Sequence, residues 1–331
     1  MLVASLLATA FLLPLPYHVH SAGVVRATEP LISVEGGHGY PSKTQIMFLT
    51  VSEQQATPAL LLWAWLDSTV DAEKDPDHPA QTDQQEQVVN KKAMEESKLD
   101  ALYVAYKKLG YSVEIHGTGA FIAAMLPDLP AAKVFSQGDV ITAIDGHPVQ
   151  LADDVRPLLV DKPIGATVEV SVRRHADGTT KVASIKLGRN SNDPSHGFLG
   201  VSLETADQTP TFPFSTKIDS GDVVGPSAGL AFTLGVIDRL TPGDLAGNRK
   251  IAVTGEIALD GTVGNIGGIA QKIVGAKEAG ATEFLYPAGT PADEVARVRK
   301  IAGKSISLHP VATLDDALKV IAPGGIPAAA H

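Results

Sequence analysis

At 331 residues the chain has room for two or three domains of roughly 150 residues each. It is 44% hydrophobic and 19% charged, a globular balance rather than that of a disordered or collagen-like chain. A net charge of −10, from 37 acids and 27 bases, leaves no basic footprint for nucleic acid. With no cysteine, disulfides, thiolate zinc or iron–sulfur sites and a cysteine nucleophile are all excluded.

Residues 1–15 are almost wholly apolar, and no Lys or Arg precedes Arg26. The run 2–13 would rise only about 18 Å as a helix, short of a roughly 30 Å hydrocarbon core. It reads as a signal-peptide core or part of a membrane anchor, and the missing basic flank is expected upstream of Met1. The competing reading is a buried helix ended by Pro14 and Pro16. Residues 43–52 (KTQIMFLTVS) have the character of a strand and 58–66 that of a short apolar helix. The stretch 67–96 holds nine acids and three bases. Its first part, 67–83, reads as a solvated loop, since it lacks the central Gly and closing Glu of a calcium loop. A helix over 84–109 follows, with Leu99, Leu102, Tyr106 and Leu109 at helical spacing and Gly110 as its stop.

Short strands are predicted at 121–125, 140–144, 168–173 and 182–187, with a helical interval at 151–160 and hairpin dipeptides at Asp145-Gly146 and Asp177-Gly178. The polar run 189–194 reads as a linker. From 197 onward helices and strands alternate: a helix from Pro226, a strand at 251–254 with a return strand after Asp260-Gly261, a helix at 269–279 and a strand at 284–286. A helix at 292–301, a strand at 305–308 and a last helix capped by Thr313 complete the series. The fold class is α+β. Its expected segments are 1–22 (signal or anchor), 23–110 (a small α/β region with a long helix), 111–190 (a β domain), 197–322 (an α/β domain) and 323–331 (a loose tail).

Two motifs can carry chemistry. In Gly225-Pro226-Ser227-Ala228-Gly229, Pro226 suits the first helical position, and Ser227 stands at a helix N-terminus whose free N–H groups can stabilise an oxyanion. Taken alone, Ser227 can equally be a helix cap. In Gly267-Gly268-Ile269-Ala270-Gln271-Lys272, a double glycine opens a helix and Lys272 lies one turn in, beside Ile273 and Val274. Desolvation there would favour the neutral amine, although most such lysines are surface residues.

Taken together, these two motifs and the intervening Thr254-Gly255-Glu256 and Asp260-Gly261 resemble the proteolytic domain of the Lon family. The resemblance covers 197 to about 321. It implies Ser227 as nucleophile, Lys272 as general base, Thr254 as the lysine's hydrogen-bond partner, and Gly225, Gly229, Gly267 and Gly268 as supporting positions. It implies no cofactor and no metal. The sequence departs from Lon proper in two respects: it has no Gly-x-x-x-x-Gly-Lys-Ser/Thr loop, and no histidines precede Ser227 at 215–219. Residues 111–187 resemble a PDZ domain, through Gly138-Asp139-Val140-Ile141, Ala143-Ile144-Asp145-Gly146 and Pro130-Ala131-Ala132. Its expected peptide-end clamp is Gly117-Thr118-Gly119-Ala120-Phe121. The whole arrangement, with Pro14, Pro16 and Tyr17 after the apolar run, is similar to membrane-anchored bacterial PDZ–Lon peptidases. That similarity implies an ATP-independent endopeptidase outside the cytoplasm, held by its N-terminal segment or secreted. Its partners would be peptides or unfolded proteins, with ring assembly into a homo-oligomer known among Lon relatives.

Two other readings compete. Residues 225–229 also fit the Gly-x-Ser-x-Gly elbow of esterases, but His309 and the terminal His331 are the only histidines after Ser227, and no His-Gly-Gly-Gly segment precedes it. A PDZ scaffold without catalysis is the other alternative, and retention of both Ser227 and Lys272 argues against it. His18 and His20 lack third-ligand spacing for a metal. His116, His147, His175 and His196 read as surface or turn residues.

Overall fold

A computed structural model describes residues 10–37, 39–43, 45–75, 83–126, 129–189, 196–207 and 209–329. The expected apolar segment therefore lies largely outside the described residues. Among those described, no helix is long and apolar enough to cross a membrane.

The chain opens with strand β1 (Tyr17–Ala27), β2 (Ile32–Glu35) and β3 (Gln45–Gln55). Next come helix α1 (Pro58–Leu66), strand β4 (Asp71–Lys74) and the long helix α2 (Asp83–Lys108). α1 matches its predicted bounds: Thr57 caps it by accepting the Leu60 N–H, and Pro58 fills the first turn. β1 was hidden in the sequence, because its first residues continue an apolar run and the rest (HSAGVVRA) alternates poorly. Its pairing with β3 also shifts register between Ala22 and Val25. The expected segment 1–22 thus overlaps a strand from Tyr17 onward. Within the expected loop 67–83, Asp71–Lys74 is an edge strand formed against the other side of β1. On α2 the buried positions are Met94, Ser97, Ala101, Leu102, Val104, Ala105 and Tyr106, whereas Leu99 faces solvent.

Residues Val113–Thr211 form a compact unit of their own. It contains β5 (Glu114–His116), β6 (Ala120–Met125), β7 (Val140–Ile144), β8 (His147–Pro148) and helix α3 (Val155–Leu159). It continues with β9 (Thr167–Arg173), β10 (Thr180–Lys186), β11 (Gly188–Arg189), β12 (Gly197–Phe198), β13 (Val201–Thr205) and β14 (Thr209–Thr211). The sheet order is β10-β9-β7-β6-β13 over a core including Ile122, Ile141, Ile144, Val170 and Ile185. Asp145, with φ 49°, and Gly146 make the two-residue turn between β7 and β8. The entry and exit strands β5 and β14 pair at the neck of the unit. The expected break at 190–197 is displaced here: residues 197–205 hold β12 and β13, and β13 is hydrogen-bonded to β6.

The chain then resumes with β15 (Ser215–Ile218), helix α4 (Gly229–Leu240), β16 (Lys250–Val253), β17 (Glu256–Ile257) and β18 (Val263–Gly264). Helix α5 (Ile269–Glu278), β19 (Glu283–Pro287), α6 (Ala292–Ala302), β20 (Ser307–Val311) and α7 (Leu314–Ile321) complete it. The second compact unit joins Met1–Ser112 to Phe212–His331. Its sheet runs β20-β19-β16-β3-β1-β4, with β16 parallel to both β3 and β19. The expected separate region 23–110 therefore supplies half of the sheet on which the C-terminal residues fold. The return strand expected after Asp260-Gly261 is instead a small hairpin of β17 and β18, apart from the main sheet. α4 is buried nearly throughout, and Phe232 lies 5.4 Å, centroid to centroid, from Phe48 of β3. α5 and α6 enclose Met47, Leu49, Ile273, Phe284 and Val298. Residues 323–329 have neither helix nor strand.

Candidate active site

Pro226–Ala228 form a single 3₁₀ turn leading into α4. Ser227 is held there from three sides. Gly255 donates its N–H to the Ser227 carbonyl at 2.9 Å, and Leu230 donates to the Gly255 carbonyl at 3.0 Å. Ser97 of α2 donates its hydroxyl to the Pro226 carbonyl at 3.0 Å, and the Gly225 N–H reaches the Asn90 carbonyl at 2.9 Å. Gly229 permits this approach, since a Cβ there would stand 2.8 Å from Ser97 Oγ and 3.1 Å from Ile257.

Lys272 lies one turn into α5, with Gly268 as the N-cap in a left-handed conformation (φ 68°). A side chain at Gly268 would also meet Val51 Cγ2 at 2.6 Å, so the residue is fixed by backbone and space together. The Lys272 ammonium reaches Ser227 Oγ at 2.8 Å and Thr254 Oγ1 at 3.1 Å. Thr254 in turn donates to the Ser227 carbonyl at 3.3 Å. Ser227, Thr254 and Lys272 thus meet at one point, although Ser227 and Lys272 stand 45 residues apart.

The electrostatics of the lysine are set by burial. Lys272 is 3% exposed, and desolvation brings its pKa down from 10.5 to about 8, while Glu256 and Glu294 pull it back up. The Glu294 carboxylate also accepts the Ile269 N–H at 3.0 Å, where α5 begins. The site opens into a cleft of about 880 Å³ bordered by Gly225, Val51, Glu53, Glu256, Gly267 and Gly268. Behind it Arg297 clamps Asp71 with two hydrogen bonds of 2.7 Å, and Gln271 adds a third at 2.6 Å. Burial works against the charge, but these donors hold the Asp71 carboxyl below its usual range.

Sequence reasoning missed Asn90, Ser97 and Glu294, and it quoted Glu256 without giving it a role. The first two sit on a helix expected in a different region, and no spacing signal links Ser97 to Pro226 across 129 residues. His309, the histidine an esterase elbow would need, stands on β20 with Nε2 3.5 Å from Glu283.

In the other unit the expected clamp at 117–121 has its amides engaged. Thr118 donates to the Ala206 carbonyl and Gly119 to that of Gln150, while Ala120 and Phe121 pair with both β7 and β13. The apolar groove lies elsewhere. It occupies about 390 Å³ and is lined by Val155 and Leu159 of α3 and by Phe198, Leu199, Val201 and Leu203. β13 is the end strand of its sheet, so a backbone edge borders this groove.

Residues 220–323 match the Lon protease (S16) C-terminal proteolytic domain, and residues 107–187 match the PDZ domain. Among relatives, Lon protease 2 of Thermus thermophilus is 36% identical over 132 residues, covering 39% of this chain and 16% of that protein. The Lon protease of Elusimicrobium minutum is 35% identical over 174 residues, covering 49% and 20% respectively. The chain thus spans a fifth or less of the length of these relatives. The PDZ domain of an SdrC-like protein from Listeria monocytogenes aligns with 28% identity and a TM-score of 0.24, covering 26% of this chain and 87% of that one. The protein carries a Lon-type proteolytic domain and a PDZ domain.

Proposed function

We propose that the protein is an ATP-independent serine endopeptidase with a Ser227–Lys272 dyad, recruiting peptides or unfolded proteins through its PDZ unit. The observation that carries this reading is the 2.8 Å contact between Ser227 Oγ and a lysine nitrogen that is almost fully buried. A buried lysine of lowered pKa can hold a neutral amine and accept the serine proton as Oγ attacks the scissile carbonyl. The N-terminal turn of α4 directs its positive end at the developing oxyanion. The Lys272 ammonium then returns the proton to the leaving amine, and water cleaves the acyl-serine by the same route. Thr254 keeps Nζ aimed at Oγ by occupying a second hydrogen-bonding position.

The ATP independence of this chain rests on the absence of a phosphate-binding loop in its sequence. Recruitment rests on the groove between α3 and the free edge of β13, where an extended peptide can add as a strand. The apolar residues 2–13 support membrane attachment, with the catalytic part outside the cytoplasm. A fluorophosphonate should label Ser227 in the folded wild type and fail on Ser227→Ala, and Lys272→Ala should lose both labelling and peptide cleavage. Unchanged cleavage by Ser227→Ala, or cleavage that requires ATP, would overturn the proposal.

A further inference from the structure

Helix α1 (PALLLWAWL) carries no polar side chain over its nine residues, and none of the nine is buried. Trp65 is 80% exposed and Leu66 68%, with Leu62 and Trp63 also open to solvent. A helix apolar on every side is ordinarily enclosed by protein or lipid. Here Leu60, Leu61 and Ala64 pack against Val19, Ala56 and Val70, while Leu62, Trp65 and Leu66 on the outer side are more than half exposed.

The N-terminal segment locates that face. Leu15 donates its N–H to the Ala56 carbonyl at 2.8 Å and packs under α1, and Ala56 donates to Tyr17 at 2.7 Å. Phe11, Leu12 and Leu13, which precede this anchor point, are exposed as well, and the sequence before them is apolar back to Leu2. Phe11–Leu13, the described end of that run, therefore leave the fold beside the bare face of α1. Nine residues rise about 13 Å as a helix, too short to span a bilayer and suited to lying in its interface. Exposed tryptophans beside leucines are the chemistry of that interface, where an indole keeps its ring in acyl chains and its N–H near headgroups.

We propose that α1 is an interfacial helix that seats the proteolytic unit on a phospholipid bilayer, with Leu62, Trp63, Trp65 and Leu66 inserted. The inference rests on the membrane attachment proposed above. Asp67, Asp71 and Glu73 follow the helix, and the Arg297 guanidinium beside it is taken up by Asp71 and the Ser68 carbonyl, so insertion is apolar rather than electrostatic and does not depend on anionic lipid.

Trp63 and Trp65 are the chain's two tryptophans, so intrinsic emission reports on α1 alone. With the full chain and phosphatidylcholine vesicles, the emission should shift to the blue, become protected from iodide and be quenched by brominated acyl chains. Addition of phosphatidylglycerol should change little. Leu66→Asp keeps both reporters, should raise the vesicle concentration for half the shift at least about tenfold, and should leave short-peptide cleavage intact. Vesicle flotation run alongside tests the anchor separately. A chain that floats while its tryptophans stay open to iodide overturns the seat and leaves the anchor standing. A chain that neither floats nor shifts overturns both. A shift that appears on concentrating the protein without lipid, or only with anionic lipid, also overturns the proposal, the former assigning the face to a second copy.

Discussion

The carboxylate of Glu294 accepts the N–H of Ile269 at 3.0 Å, one turn ahead of Lys272 on the same helix. One side chain from α6 thus caps α5 and adds negative potential at the lysine. Burial lowers the lysine pKa, and Glu256 and Glu294 oppose it. Glu294→Gln keeps an acceptor for the cap and removes the charge. It should move the midpoint of the activity–pH curve downward by roughly 0.3–0.5 unit. Glu294→Ala loses the cap too and should also lower kcat. A midpoint unchanged in Glu294→Gln, with Lys272 still essential, would show that Glu294 acts only through the cap.

The Ser227–Lys272 contact was legible in the sequence because each residue sits in a local signal: a Pro-Ser step at a helix start and a double glycine one turn before a lysine. Gly268 illustrates why that spacing is informative, since its left-handed backbone and the proximity of Val51 both require glycine. The residues surrounding this contact were not readable. Ser97 meets Pro226, and β3 meets β16, across the whole inserted unit, and no local pattern encodes contacts at that separation. β4 was missed because Asp-Ala-Glu-Lys has little strand character of its own and is ordered by β1 and by the Arg297 clamp on Asp71. The amides of the expected clamp at 117–121 are engaged within the fold, and the apolar groove borders β13. A Gly-Thr-Gly step does not encode sheet order, and only the pairing of β13 with β6 shows which strand ends the sheet.

Activity should rise with pH through about 8, because the amine of Lys272 must be neutral to accept the serine proton and burial sets its pKa there. An exposed lysine would place the rise near 10.4, and a histidine base near 6.5. Lys272→Arg should be inactive at every pH, since a guanidinium stays protonated. His309→Ala should retain activity. A pH–rate profile of the three proteins on one short peptide checks all of this together.

Ser97→Ala removes the donor to the Pro226 carbonyl beside Ser227. Loss of one such bond costs about 1 kcal/mol of stability, with a fall in kcat of about tenfold if Ser227 turns out of line. KM for a short peptide should hardly change, because Ser97 does not border the cleft. Thermal melts and steady-state kinetics on the same preparation separate the two effects.

The neck strands β5 and β14 bring Glu114 and Thr211 into register, so their Cα atoms lie roughly 5 Å apart. Replacing residues 113–211 with a short Gly/Ser linker should therefore leave the remaining unit able to fold. If the PDZ unit recruits substrate, the shortened protein should cleave short peptides at an unchanged rate and show a KM several-fold higher for long unfolded substrates. An equal loss on short peptides would make the inserted unit structural rather than recruiting.

The same burial that lowers the Lys272 pKa should carry a cost in stability. Below about pH 8 the lysine is charged in both folded and unfolded states, and the folded protein bears the full desolvation penalty. Between about 8 and 10.5 the folded state sheds its proton first, so the penalty disappears as pH rises. Lys272→Met fills similar space without a charge and gives up the hydrogen bonds to Ser227 and Thr254. It should be inactive yet more stable than wild type by about 1–2 kcal/mol at pH 7, with the gain fading toward pH 10. Denaturant midpoints of the two proteins at both pH values measure this. A Lys272→Met protein no more stable than wild type at pH 7 would mean that water or the flanking carboxylates already relieve the buried charge.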